Sequence, residues 1–311
     1  MDYDIHSHIN SSMQEKDKTF SGYKVAKDVQ TIWPTEASIE KISESGLSVK
    51  EGACVRAVWY RINEYKEERE IEERMYWIWA FGNWYEKQGT ELLSRKGHLI
   101  GSSIRFKDNS LDLPISGEMD AVLIDPETNE KIVVDFKTAG GSYYSISKLK
   151  GNTRTKAFPK ISNLLQIMIY LNKDPDLDYG ILAYKIRDDM TEVAHKVRLV
   201  DYQDEYTGNI IKAAEVNGTV YPEYNIEEIF RRYQIIIDHY KSRELPPRDY
   251  YNVYPDGLID VMYRDGLVTK TSYAKHKGKD PKTLKKVKQE PQGDWQCRYC
   301  NFFKQCQKDG E

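Results

Sequence analysis

No run of apolar residues in this chain is long enough to cross a bilayer, which takes about 20 in succession. The opening residues, MDYDIHSHINSS, have neither the basic flank nor the apolar core of a secretion signal. The expected compartment is therefore the cytoplasm, of a bacterium or of a phage-infected host. A Walker-type phosphate loop is missing and so is GxGxxG, which excludes an ATPase or helicase motor. No fixed-period repeat is present. Cysteine is scarce, four in 311 residues, and in a reducing compartment these four are not expected to pair as disulfides. Against these absences, 40% hydrophobic residues suffice for a core and 31% charged residues for a polar surface. The length allows one large domain or two small ones.

The pattern along the chain divides it into four parts. Residues 1–34 carry little periodicity and form a lead-in ending at Trp33–Pro34. In 35–96, Thr35 reads as the N-cap of a helix in TEASIEKISES, residues 53–65 fit a second helix, and a longer helical stretch runs from 70 to 93 with an interruption at Gly82. In 97–245 the character changes. HLIGSSIRF, ISGEMDAVLI and KIVVDFKT are short, β-branched strands, the last two joined antiparallel through 125–130. NLLQIMIYLN reads as a helix, YGILAYKI and TEVAHKVRLV as two more strands, and 226–243 as an amphipathic helix burying Ile229, Ile236, Ile237 and Tyr240. Residues 246–311 hold a tyrosine-rich linker, a lysine run and a terminal cysteine cluster. The fold class expected is α/β, a central mixed sheet flanked by helices.

The chemistry concentrates between residues 117 and 137. Asp135 and Lys137 end the strand IVVDFK, where alternation points both to one face and Phe136 to the other. If the strand carrying Asp120 pairs with it, the two carboxylates meet. Their repulsion raises the pKa of one unless a cation joins them. Mg²⁺ suits such a pair, since it takes one or two carboxylates and fills its remaining positions with water and phosphate oxygens. Alone, Asp-x-Lys is a common strand edge. In the following helix Gln166 and Tyr170, four apart, share a face.

Cys297, Cys300 and Cys306 form C-x2-C-x5-C near the end of the chain, and Cys54 lies far upstream. Tetrathiolate sites hold zinc or iron–sulfur clusters, and zinc more often shows two C-x2-C pairs.

GEMDAVLI followed by VVDFKT and QIMIY resembles the RecB-like branch of the PD-(D/E)xK nucleases, which includes the CRISPR-associated RecB-like exonucleases and phage relatives. The resemblance spans roughly Thr35 to Cys306, and its specificity lies in the joint order of the motifs. It implies a restriction-endonuclease-like core and metal-dependent hydrolysis of DNA. Asp120 and Asp135 match the metal-binding acids, Lys137 the catalytic lysine, and Gln166 and Tyr170 the Q-x-x-x-Y motif. Glu86, four residues after Gly82, stands where the family usually has a metal-binding histidine, which is a departure. A third carboxylate still suits a hard metal, and the Phe136 carbonyl would complete the ligands to Mg²⁺ or Mn²⁺. One cysteine before the core and three after it is the arrangement of the iron–sulfur members, so Cys54, Cys297, Cys300 and Cys306 are expected to hold a 4Fe–4S cluster joining the N- and C-terminal helical parts.

Net charge is −3, but its distribution is uneven. Lys148, Lys150, Arg154, Lys156 and Lys160 lie without an acidic neighbour between the catalytic strand and the Gln166 helix, interleaved with Tyr143, Tyr144 and Phe158. Such cations and aromatics are the parts of a single-strand-binding groove. A run of eight lysines between 270 and 288 is a candidate second wall. The expected activity is exonucleolytic, on single-stranded DNA ends, in recombination, replication, repair or CRISPR adaptation. Replication or recombination proteins are possible partners. A structure-specific endonuclease and a non-catalytic DNA-binding scaffold are the alternatives.

Overall fold

The computed structural model describes residues 30–68, 72–141, 143–153, 156–205 and 207–310. The chain forms two compact units, each assembled from separate segments. One comprises 1–35 with 70–227, the other 36–69 with 228–311. The breaks expected at 96/97 and 245/246 fall inside these units.

The first unit is built on seven strands: β3 (Leu99–Asp108), β4 (Ile115–Ile124), β5 (Lys131–Ala139), β6 (Tyr179–Ile186), β7 (Glu192–Gln203), β8 (Ile210–Val216) and β9 (Thr219–Asn225). They lie side by side in chain order. Only β5 and β6 run parallel, so the sheet is mixed, and the crossover between these two carries helices, as parallel neighbours require. Helix α2 (Glu73–Arg95) packs over β3, β4 and β5. Helix α4 (Ile161–Lys173) packs over β5, β6 and β7, burying Leu164, Leu165, Ile167 and Met168 completely. A short helix α3 (Tyr143–Lys150) precedes α4. Two glycines let the helices approach. A Cβ on Gly89 of α2 would lie 2.3 Å from the Phe136 ring, and one on Gly180 of β6 would lie 2.4 Å from Ile167.

The second unit holds a hairpin, β1 (Ser38–Ile42) with β2 (Ser48–Gly52), and helices α1 (Val55–Ile62), α5 (Ile226–Ser242), α6 (Asp256–Arg264), α7 (Lys270–Lys277), α8 (Trp295–Arg298) and α9 (Phe303–Lys308). Trp59, Tyr60 and Phe302 form its aromatic core, against which Cys300 and Cys306 pack.

Three expectations are corrected. TEASIEKISES is not a helix. Ser38–Ile42 pairs antiparallel with Ser48–Gly52 across a turn containing Gly46 at φ +79°, a conformation that suits glycine. Helix α2 runs unbroken through Gly82, where an added Cβ would meet nothing within 4 Å. The segment 256–277, expected as linker and lysine run, contains helices α6 and α7. No helix among the described residues is long and apolar enough to cross a membrane.

Candidate functional site

Strands β4 and β5 pair through Ala121↔Val134, so the next residues outward are Asp120 and Asp135. Alternation along β5 places Phe136 against Tyr85 of α2, ring centroids 5.5 Å apart, and leaves Asp135 and Lys137 on the other face with α4. Asp135 is fully buried. Lys137 Nζ donates to its Oδ1 at 2.9 Å and lies 2.8 Å from its Oδ2 in an ion pair. The Phe136 amide donates to Asp120 Oδ2 at 2.7 Å.

Helix α4 supplies a second tier. Gln166 Nε2 donates to Tyr170 Oη at 2.6 Å and reaches Asp135 Oδ1 at 3.4 Å. Tyr170 Oη in turn donates to the Glu118 carbonyl at 2.8 Å. Lysine, carboxylate, glutamine, tyrosine and β4 backbone are thus one connected network.

The electrostatics are those of crowded acids. Burial, then the Asp135 charge, raises Asp120 well above the usual carboxylate range, with Lys137 opposing. Burial raises Asp135, again against Lys137. Glu86 on α2 is raised by burial and by Glu118 and Asp135. Burial alone would lower the Lys137 ammonium, but Asp135, Asp120 and Glu86 outweigh it and push it up. Asp120, Asp135, Glu86 and Lys137 therefore share a small, poorly solvated space, with Glu118 at its edge paired to Arg105 at 2.8 Å.

As they stand, no three His, Cys, Asp or Glu side chains among the described residues converge closely enough to hold a metal ion. The donor chemistry nevertheless fits a hard cation. Gln166 Oε1 is buried without a hydrogen-bond donor, Asp135 Oδ2 has only the Lys137 ammonium beside it, and a cation would relieve the mutual repulsion of Asp120, Asp135 and Glu86. Glu118 was not singled out in the sequence. Its signal was position, two residues before Asp120 on the same strand face.

The expected DNA groove is placed differently. Tyr143 to Lys150 is helix, not loop. Lys150 pairs with Asp189 at 2.6 Å, Lys156 donates to Thr219 Oγ1 at 3.1 Å, and Lys160 is the N-cap residue of α4, its ammonium pushed down by burial and Arg187. Lys148 is exposed. Phe158, half-buried, packs on Tyr221 and Tyr224, so its ring is engaged with other aromatics rather than standing as a free stacking platform. Arg154 and the Tyr143 and Tyr144 side chains lie outside the described residues. In the second unit Lys270, Lys275 and Lys277 are ion-paired to Asp280, Glu290 and Asp256.

The second unit brings all four cysteines together. Cys54, Cys297, Cys300 and Cys306 line one cavity with Arg56, Arg248 and other side chains. Cys54 caps α1, whose Val55 amide donates to Asp249 at 2.6 Å, and Asp249 is held by Arg232 at 2.6 Å. Burial pushes the Cys54 and Cys297 thiols up to about 12, with Asp249 adding to the first and Asp294 to the second. Cys300 is raised for the same reason. Cys300 Sγ accepts from the Phe302 amide at 3.4 Å and Cys306 Sγ from Arg56 Nη1 at 3.8 Å. Four thiols on one cavity, two of them receiving N–H donors, fit a tetrathiolate centre.

No family model matches this chain, and no curated protein matches it. Among solved structures, the crystal structure of SSO0001 is similar at 17% identity and a TM-score of 0.45, over 96% of each chain. A likeness of that degree carries no argument about function.

Proposed function

We propose that this protein is a metal-dependent deoxyribonuclease of the PD-(D/E)xK type, acting on the ends of single-stranded DNA. The observation that carries the reading is the network at the end of β5, in which Lys137, Asp135, Gln166 and Tyr170 are joined and Asp120 stands beside them. Asp120 and Asp135, with Glu86 and the Phe136 carbonyl, would hold Mg²⁺ or Mn²⁺. When bound, such an ion supplies positive charge against a phosphodiester and acidifies a water. Lys137 orients the attacking water and offsets the negative charge that develops on phosphate. Gln166 and Tyr170 fix Asp135 in place. In the second unit, Cys54, Cys297, Cys300 and Cys306 would hold a 4Fe–4S cluster. Zinc sites of four cysteines more often show two C-x2-C pairs, and this chain has one, Cys297 with Cys300.

The test is degradation of end-labelled single-stranded DNA by anaerobically purified protein with Mn²⁺ or Mg²⁺. Lys137→Ala and Asp120→Ala are expected to lower the rate by at least 100-fold, of order 3 kcal/mol in barrier, with the cluster absorbance kept. A wild type without activity, or variants as active as the wild type, would refute the reading. Covalently closed circular DNA distinguishes an endonuclease, which cuts it, from the exonuclease proposed.

A further inference from the structure

Arg56 is a buried cation with no ion-paired carboxylate among the described residues. It is 2% exposed, and its guanidinium donates to the Pro246 carbonyl at 2.6 Å, the Gly310 carbonyl at 2.7 Å and Cys306 Sγ at 3.8 Å. All three acceptors are neutral as long as Cys306 is a thiol. Among the described residues no carboxylate lies in ion-pair distance of it. Asp249 is taken by Arg232, and Asp309, whose carboxyl feels Arg56, is held by Tyr60 Oη at 2.7 Å and by Gln305. Asp294 accepts from the Tyr251 amide and Tyr254 Oη, both at 2.7 Å. A second guanidinium, Arg248, lines the same cavity. It donates to the Cys306 carbonyl, and its Nε is buried with no acceptor.

Burying a guanidinium without a counter-ion is strongly unfavourable, and buried charges are kept where they are paired. The one group on this cavity able to supply the missing negative charge is the set of four sulfurs. As thiols they supply none. Bound as thiolates to a metal centre they supply a net negative charge at the wall where Arg56 and Arg248 stand.

We propose that Arg56, with Arg248 beside it, is the counter-charge of an anionic metal–thiolate centre in this cavity and raises its reduction potential. The proposal rests on the cluster reading above. A tetrathiolate 4Fe–4S centre carries two negative charges when oxidised and three after taking up one electron. A fixed positive charge favours the more negative form, so it favours uptake of that electron. Arg56 is a positioning residue here and takes no part in phosphodiester chemistry.

The experiment uses the full chain purified anaerobically, assayed for iron and acid-labile sulfide. The centre is reduced with dithionite through mediators and followed by electron paramagnetic resonance. Arg56→Gln, which removes the charge and keeps an N–H donor, is expected to lower the potential by at least 59 mV, a tenfold change in a one-electron equilibrium. Arg248→Gln is expected to shift it in the same direction, and Arg56→Lys to restore most of the change. Unchanged potentials in both Gln variants with iron and sulfide intact overturn the proposal. If Arg56→Gln does not retain iron, Arg248→Gln decides the same comparison, a shift supporting the proposal and no shift refuting it. A wild type without iron and sulfide overturns the cluster reading itself, and the proposal with it.

Discussion

Tyr170 shows how much a single hydroxyl can organise. Its Oη joins Gln166 to the Glu118 carbonyl, accepting from the first and donating to the second. Tyr170→Phe leaves a buried amide and a buried carbonyl each short of a partner, so the sheet unit should lose about 1–3 kcal/mol in urea unfolding. A loss below 0.5 kcal/mol, roughly the experimental error, would mean that water replaces the hydroxyl. His195 makes a separate point. It is fully buried, its Nδ1 lies 3.1 Å from Asn217 Nδ2, and burial pushes the imidazole down to about 4, with the Leu149 backbone opposing. Unfolded, the ring takes up a proton near pH 6.5, but folded it stays neutral to about 4. Stability contributed by the neutral ring is complete above pH 6.5 and is lost as pH falls toward 4, by up to about 3 kcal/mol. Unfolding midpoints at pH 7 and pH 4.5 should separate less in His195→Gln than in the wild type, and equal separation would remove His195 as the cause. Of these residues, Asp135 and Lys137 could be placed on one strand face by alternation, with Asp120 beside them if the strands pair, whereas Gln166 and Tyr170 stood out through the family resemblance, the four-residue helical step adding only that they share a face. Glu118 and Arg248 were not legible, since their importance depends on partners distant in the chain.

At the level of elements, the long strands and α4 were readable, because their apolar residues recur with unambiguous periods. The hairpin β8–β9 was not read, although its turn is the dipeptide Asn217–Gly218 at φ +51° and +79°, the pairing that favours a two-residue hairpin loop. The reading of Ser38–Ile42 as helix failed for the opposite reason. Ser, Glu and Lys dominate it, and only its partner strand, Glu228 and Arg232 fix it as extended. Contact between elements yields a further prediction. Helix α2 closes on β5 through Gly89, so Gly89→Val must push the helix off Phe136 and carry Glu86 with it. The variant should be less stable by about 1–3 kcal/mol and, on the nuclease proposal, should also lose the proposed activity. Full activity at reduced stability would show that Glu86 is not needed where it stands.

For the molecule as a whole, each unit is made of segments that alternate along the chain, which no local pattern reveals. If Cys54 and the three late cysteines hold one centre, removing it with a chelator under oxidising conditions should strip amide protection from 36–69 and 228–311. Segment 70–227 should keep its slow-exchanging amides. Uniform loss of protection, measured by hydrogen–deuterium exchange, would speak against a centre confined to the second unit. The same alternation sets an order in time. Cys54 emerges from a ribosome first, and the three cysteines that share its cavity follow more than two hundred residues later. At about 5–20 residues per second that is a wait of roughly 10–50 s. During that wait the whole of β3 to β9 is made, so the sheet can be finished while the first cysteine is still alone. Whatever is held by all four sulfurs must be delivered after Cys306 has been made.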